Sequence, residues 1–177
     1  VFEDADLDEA VAGTMSSAFA NCGQVCLNTE RLYVERPVFD DFVDRLRREV
    51  EQLQLGDPTD EQTGLGPLIS AEHRQKVLSY YEHAEDIGAT IVTGGSVPEM
   101  EAPSDEGFFI EPTIWTGLEE DSRIVREEIF GPCCHIQPFD SEDEVVGWAN
   151  DSDYGLCAAV WTRDLRRGHR VSERLDT

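Results

Sequence analysis

Apolar positions along the first fifty residues change period twice, and each change marks an element. Leu7, Val11, Met15 and Ala18-Phe19 recur at helical spacing behind Asp6, which suits an N-cap, so a helix is predicted over Leu7–Phe19. A stretch containing Gly23 ends it. Arg31-Leu32-Tyr33-Val34-Glu35 is a β-rich run closed by Pro37 and reads as a strand. Phe39, Phe42, Val43, Leu46, Val50 and Leu53 then mark one face of a second helix, stopped by the turn chemistry of Gly56-Asp57-Pro58.

Ser70 to Gly88 reads as a third helix with Ser70 as its cap, followed by a strand at Thr90–Thr93 that Gly94-Gly95 ends. Val97 to Gly107 is polar and Pro-containing, the pattern of a surface loop. Further strands are expected at Thr113–Thr116, His135–Phe139 and Leu156–Thr162, with helices over Ser141–Asn150 and Asp164–Arg174. Strands alternating with helices predict an α/β fold with a mostly parallel sheet flanked by helices. No repeat, low-complexity tract or linker divides the 177 residues, a length that suits one domain.

Charge narrows the partners. Asp and Glu number 38 against 14 Lys and Arg, a formal net charge of -24, and Lys76 is the single lysine. No basic patch is available for a nucleic acid or an acidic membrane. No run approaches a membrane span, and no basic stretch followed by an apolar one opens these residues, so a signal peptide is not expected. The acids are spread through every segment, which fits a hydrated surface adapted to high salt; an acidic face for a basic partner is the other reading. Val1 is not an initiator Met, which points to a fragment. Five cysteines, an odd number, argue for a reducing cytoplasm over a secreted disulfide framework.

Two segments could carry chemistry. Phe19-Ala20-Asn21-Cys22-Gly23-Gln24-Val25-Cys26 places a thiol on a Gly-containing turn between helix and strand, where backbone N–H groups can meet a developing oxyanion. By spacing alone a cysteine here is more often a small buried hydrophobe than a nucleophile. A redox pair of Cys22 and Cys26 is a weaker alternative. A metal site built from Cys22, Cys26, Cys133, Cys134 and His135 is not expected, because the spacing is wrong and adjacent strand residues face opposite sides. The second segment, Glu127-Glu128-Ile129-Phe130-Gly131-Pro132, reads as a helix end and a Gly-Pro turn. A carboxylate beside an aromatic ring can also hold ribose hydroxyls while the ring packs on a flat heterocycle. No Gly-rich phosphate-binding fingerprint accompanies it.

Together, F-x-N-x-G-Q-x-C at Phe19 to Cys26 and E-E-I-F-G-P at Glu127 to Pro132, about a hundred residues later, resemble the aldehyde dehydrogenase superfamily. The resemblance continues through Gly66-Pro67-Leu68-Ile69, His73 to Val77, Glu111-Pro112-Thr113 and Asn150 to Leu156, covering essentially the whole chain. The runs Gly23 to Leu27, Lys76 to Tyr81 and Pro112 to Leu118 are similar to the 2-hydroxymuconic and 2-aminomuconic semialdehyde dehydrogenases.

The resemblance implies a catalytic-domain fragment of an NAD-dependent enzyme, with NADP not excluded. Cys26 would attack a small-molecule aldehyde, giving a thiohemiacetal and then a thioester that water hydrolyses. Glu128 would bind the nicotinamide ribose and Phe130 would lie beside the nicotinamide. Lys76 and His73 would contact the cofactor from the catalytic-domain side; a solvated helix face explains His73 equally well, while Lys76 stands out as the one lysine in a chain that otherwise uses Arg. It also implies a cytoplasmic dimer or tetramer. The family's general-base glutamate, its dinucleotide-binding domain, its oxyanion-hole asparagine and its oligomerisation strand are missing from these residues, so the chain alone is expected to be inactive. Asn28 is given no role. The rival readings are a betaine-aldehyde or general aliphatic aldehyde dehydrogenase, and a non-catalytic interaction protein that keeps the fold.

Overall fold

The computed structural model describes residues 1–102 and 104–177. Helices α1 (Leu7–Phe19), α2 (Phe39–Val50), α3 (Ala71–Asp86), α4 (Arg123–Arg126), α5 (Glu142–Asn150) and α6 (Leu165–Ser172) surround strands β1 (Arg31–Glu35), β2 (Thr90–Thr93), β3 (Thr113–Thr116) and β4 (Cys133–Phe139). The strands form one sheet in the order β1-β4-β3-β2. β4 pairs in parallel with both β1 and β3, and β2 joins β3 antiparallel at the edge, so the sheet is mixed but largely parallel.

Alternation across the central strands sorts side chains into two layers. Leu32, Val34, Ile114, Cys134 and Ile136 pack against α1 and α2. Trp115 and Cys133 face the opposite way, against Val77, Tyr80, Tyr81 and Ala84 of α3. The stripe of Phe42, Leu46 and Val50 closes the first layer and is fully buried. Cutting Leu46 to Ala would cost roughly 2–5 kcal/mol, the range for emptying a packed leucine site. In the second layer Trp115 stands edge-on to Tyr81, with ring centroids 5.1 Å apart.

Local signals place most of the helix starts. The side chains of Asp6, Ser70 and Ser141 each accept a backbone N–H from the first turn of α1, α3 and α5. Asp164 does the same for α6. α2 ends at Val50, earlier than the expected stripe through Leu53, although Leu53 still packs on the same layer. β4 begins two residues before the expected His135 and tolerates Pro138 because β3 reaches only to Ile136. The loop expected over residues 97–107 includes Pro103, which lies outside the described residues; Ser104–Glu106 forms a short 3-10 turn.

One expected strand is absent among the described residues. Leu156–Thr162 forms no ladder. Among the described residues the backbone bond that ties it to another segment runs from Phe2 N to the Trp161 carbonyl, at 2.9 Å. β-rich composition becomes a strand only where a partner backbone lies alongside, and none does here.

Candidate active site

Where α1 stops, Asn21, Cys22 and Gly23 adopt left-handed backbone in succession, with φ of 51°, 59° and 69°. The reversal is held by its own polar groups. Asn21 Nδ2 donates to the Gln24 carbonyl at 3.0 Å, and Gln24 Nε2 donates back to the Asn21 carbonyl at 3.2 Å. Gln24 Oε1 accepts the Ile69 N–H at 3.0 Å, tying the turn to the segment that leads into α3.

The turn sends its two cysteines to different environments. Cys22 is buried and donates its S–H to the Gly66 carbonyl at 2.9 Å; burial pushes its thiol up to about 11. A thiol held protonated in this way is a poor nucleophile. Cys26 is exposed. Among the described residues its backbone N–H meets no acceptor, which leaves a donor for an oxygen that gains charge when a thiolate adds to a carbonyl.

The second turn follows α4 and enters β4. Phe130 takes φ 64°, a left-handed conformation that costs a non-glycine residue roughly 1–2 kcal/mol. Side chains from three directions hold it there. Glu30 accepts the N–H groups of Ile129 and Phe130 at 2.9 and 2.7 Å. His73 Nε2, in the tautomer that carries its proton, donates to the Phe130 carbonyl at 2.7 Å. Lys76 Nζ donates to the Glu128 carbonyl at 3.1 Å, and the Glu128 N–H reaches Tyr154 Oη at 3.3 Å.

The adjacent acids differ. Glu127 accepts Tyr80 Oη at 2.7 Å and Arg123 Nε at 2.9 Å, bonds that hold its carboxyl below the usual range, the tyrosine contact most of all. Among the described residues the Glu128 carboxylate, exposed, makes no hydrogen bond or ion pair. Its oxygens are free for hydroxyl groups of a ligand.

A cavity of about 600 Å³ joins the two turns, and its wall includes Cys26, Asn28, Glu30, Glu128, Tyr154 and Cys157. Cys157 is the second exposed thiol on this wall; it lies on the unpaired 156–162 segment, away from the G-Q-V-C turn. Cys133 and Cys134 are buried in opposite layers of the sheet. Among the described residues no group of His, Cys, Asp or Glu is placed to hold a metal.

The aldehyde dehydrogenase family model matches residues 1–177 without interruption. The chain belongs to the aldehyde dehydrogenase family. It is 58% identical to 2-hydroxymuconic semialdehyde dehydrogenase of Pseudomonas putida over 176 residues, covering 99% of this chain and 36% of that enzyme. It is 51% identical to a Pseudomonas 2-aminomuconic 6-semialdehyde dehydrogenase, over 98% of this chain and 35% of that enzyme. Betaine aldehyde dehydrogenase from Staphylococcus aureus in complex with NAD+ superposes with a TM-score of 0.95 at 39% identity, over 99% of this chain and 35% of that one. The chain thus spans about a third of the length of these aldehyde dehydrogenases.

Of the residues singled out in the sequence, Cys26 and Glu128 share the cavity wall. Phe130, His73 and Lys76 are not on it. Instead, His73 and Lys76 grip carbonyl groups of the turn that carries Glu128. Glu30 and Asn28 are polar residues of the wall that carried no role in the sequence. Asn28 Nδ2 lies 3.4 Å from the Gly131 carbonyl and 3.5 Å from Glu30 Oε1. Ile129, Phe130 and Gly131, which they reach, sit about a hundred residues away in the chain, and no local pattern signals such contacts.

Proposed function

We propose that the protein of which these residues form part oxidises an aldehyde to a carboxylate through Cys26, with NAD as the acceptor and a muconic semialdehyde as substrate. The observation that carries this reading is the exposed Cys26 thiol and the unpartnered Glu128 carboxylate on one cavity wall, in a chain of this family. The Cys26 thiolate adds to the aldehyde carbon, and its own N–H supports the oxyanion of the resulting thiohemiacetal. Loss of hydride from that carbon leaves a thioester on Cys26. Water then attacks the thioester carbonyl, releasing the acid and regenerating the thiol.

A bound nicotinamide dinucleotide supplies the hydride acceptor. The residues present fit it in part: Glu128 offers free acceptor oxygens for ribose hydroxyls, and the surrounding side chains keep its backbone still. NADP in place of NAD is compatible with these residues.

The water that cleaves the thioester needs a base, typically worth about 10²–10⁴-fold. Glu127 is a poor candidate because Tyr80 and Arg123 both bond its Oε2 and hold its carboxyl below the usual range, which weakens it as a base. Without such a base these residues alone are expected to release the acid far more slowly than the complete protein.

The experiment is NADH formation by the complete protein with 2-hydroxymuconic semialdehyde, betaine aldehyde and an aliphatic aldehyde. The reading requires the muconic substrate to give the highest kcat/KM and Cys26→Ala to abolish turnover while NAD+ still binds. Preference for betaine aldehyde would move the protein to the substrate of its Staphylococcus aureus relative. Full turnover by Cys26→Ala would refute the mechanism.

A further inference from the structure

The Glu128–Phe130 backbone is bonded by side chains at every polar atom except the Ile129 carbonyl. Four residues supply those bonds. Glu30 alone supplies two of them, and it alone belongs to the segment that carries the nucleophile, four residues beyond Cys26.

The geometry points to Glu30 as the positioning residue of this turn: its two oxygens receive adjacent N–H groups and thereby set where the Glu128 carboxylate stands relative to Cys26. This assignment rests on the reading of Glu128 as a cofactor-binding acid. Oε2 takes the Ile129 N–H at 2.9 Å and Oε1 takes the Phe130 N–H at 2.7 Å. Successive N–H groups converge on one anion where the chain turns through a left-handed residue, as it does at Phe130. The carboxylate of Glu30 is the anion this concavity encloses.

Its other contacts show why a carboxylate is needed. Asn28 Nδ2 reaches the same Oε1 at 3.5 Å, so donors approach both oxygens and no acceptor does. An amide in place of the acid would present an NH₂ group to one of the two N–H donors. The backbone also ties in: the Glu30 carbonyl accepts the His135 N–H at 2.8 Å, which anchors Glu30 to β4 directly beyond the turn. Burial and the nearby Glu128 charge push the Glu30 carboxyl up, while the two N–H bonds and Asn28 pull it down; burial is the largest effect and the net shift is upward. The site thus keeps an acid where burial disfavours its charge, because the turn requires two acceptors at one point.

The test compares Glu30→Gln and Glu30→Asp with the unsubstituted complete protein by three readouts. Amide exchange of the peptide containing Ile129 and Phe130 is measured without nucleotide. NAD+ affinity is measured by titration, and Cys26 is timed by iodoacetamide alkylation. The assignment expects Glu30→Gln to speed exchange in that peptide and to weaken NAD+ binding about tenfold, the loss of one good hydrogen bond's worth of order. Cys26 alkylation should stay within about twofold, and Glu30→Asp, which keeps two oxygens, should recover part of the affinity. A merely structural residue would change thermal stability and Cys26 reactivity together and show no rescue by Asp. Unchanged exchange, or unchanged affinity in a protein that binds NAD+, overturns the assignment. An unsubstituted protein that binds no NAD+ contradicts the proposed function instead, and the exchange readout still decides whether Glu30 holds the turn.

Discussion

A Cβ built on Gly23 would lie 1.9 Å from the carbonyl oxygen of Gly131, so the nucleophile turn and the Glu128 turn are packed backbone against backbone. A Cβ built on Gly131 would in turn lie 2.8 Å from Val77 of α3. The contacts among α3, Gly131 and Gly23 set how closely the two turns approach, and the Glu30 side chain bridges them beside that contact.

Gly23→Ala should therefore be far worse than an ordinary left-handed glycine replacement. Gly88 is a control: its φ is 82° and a Cβ there meets nothing within 4 Å. Gly88→Ala should cost only the backbone strain, roughly 1–2 kcal/mol. Gly23→Ala carries similar strain plus a clash with backbone that cannot rotate away. Urea melts of the two variants check this, and equal losses would mean that the turns yield easily.

Glu128→Gln should weaken NAD+ binding or slow hydride transfer while Cys26 alkylates at its normal rate. A neutral amide keeps one acceptor and loses the charge that strengthens bonds to ribose hydroxyls, an effect of about a factor of two in bond strength. Titration with NAD+ and single-turnover NADH formation read the two possibilities. If both are unchanged, Glu128 does not touch the cofactor.

His135 makes an acid-stability prediction. It is buried on β4, its Nε2 accepts the Leu118 N–H at 3.4 Å, and burial lowers its pKa to about 4. The folded value lies below the unfolded value near 6.5, so the unfolded chain takes up a proton that the folded chain refuses. Stability from this group is intact above pH 6.5 and falls as pH drops toward 4. The shift amounts to about 3 kcal/mol at roughly 1.4 kcal/mol per unit. Denaturant melts of the native protein and of His135→Gln at pH 7, 5.5 and 4.5 should converge as pH falls. A stability difference that stays constant over that range would show that His135 titrates normally.

Salt should raise the melting temperature. Each of the 14 basic residues can neutralise at most one of 38 acids, leaving 24 negative charges in mutual repulsion. Exposed pairs such as Arg36 with Asp140 and Arg170 with Glu142 weaken in salt, but such pairs contribute little. Relief of the net repulsion wins, since the Debye length shrinks to about 3 Å at 1 M. Thermal melts in 0.1 and 2 M KCl provide the check; a falling midpoint would favour an acidic face built for a basic partner.

The sequence shows elements whose cause is local. Asp6, Ser70 and Ser141 cap helices that begin where their spacing says they should. Leu156–Thr162 misleads because a strand is a property of two segments, and its second segment is not alongside. The same division runs through the site. The G-Q-V-C turn could be read because its glycine and its thiol lie within four residues of one another. Glu30 could not, since its meaning lies in two N–H groups at Ile129 and Phe130. His73 and Lys76 drew notice as ligand contacts, and the fold turns both toward carbonyl oxygens of the Glu128 turn.

The central claim is that Cys26 carries the acyl group. The complete protein is mixed with 2-hydroxymuconic semialdehyde and NAD+, quenched in acid within the first turnover, digested and weighed by mass spectrometry. The account predicts the acyl mass on the peptide containing Cys26, absent when NAD+ is omitted, and unaffected by Cys157→Ser. An acyl mass on the Cys157 peptide, or on Cys22 with Cys26 unmodified, would contradict it.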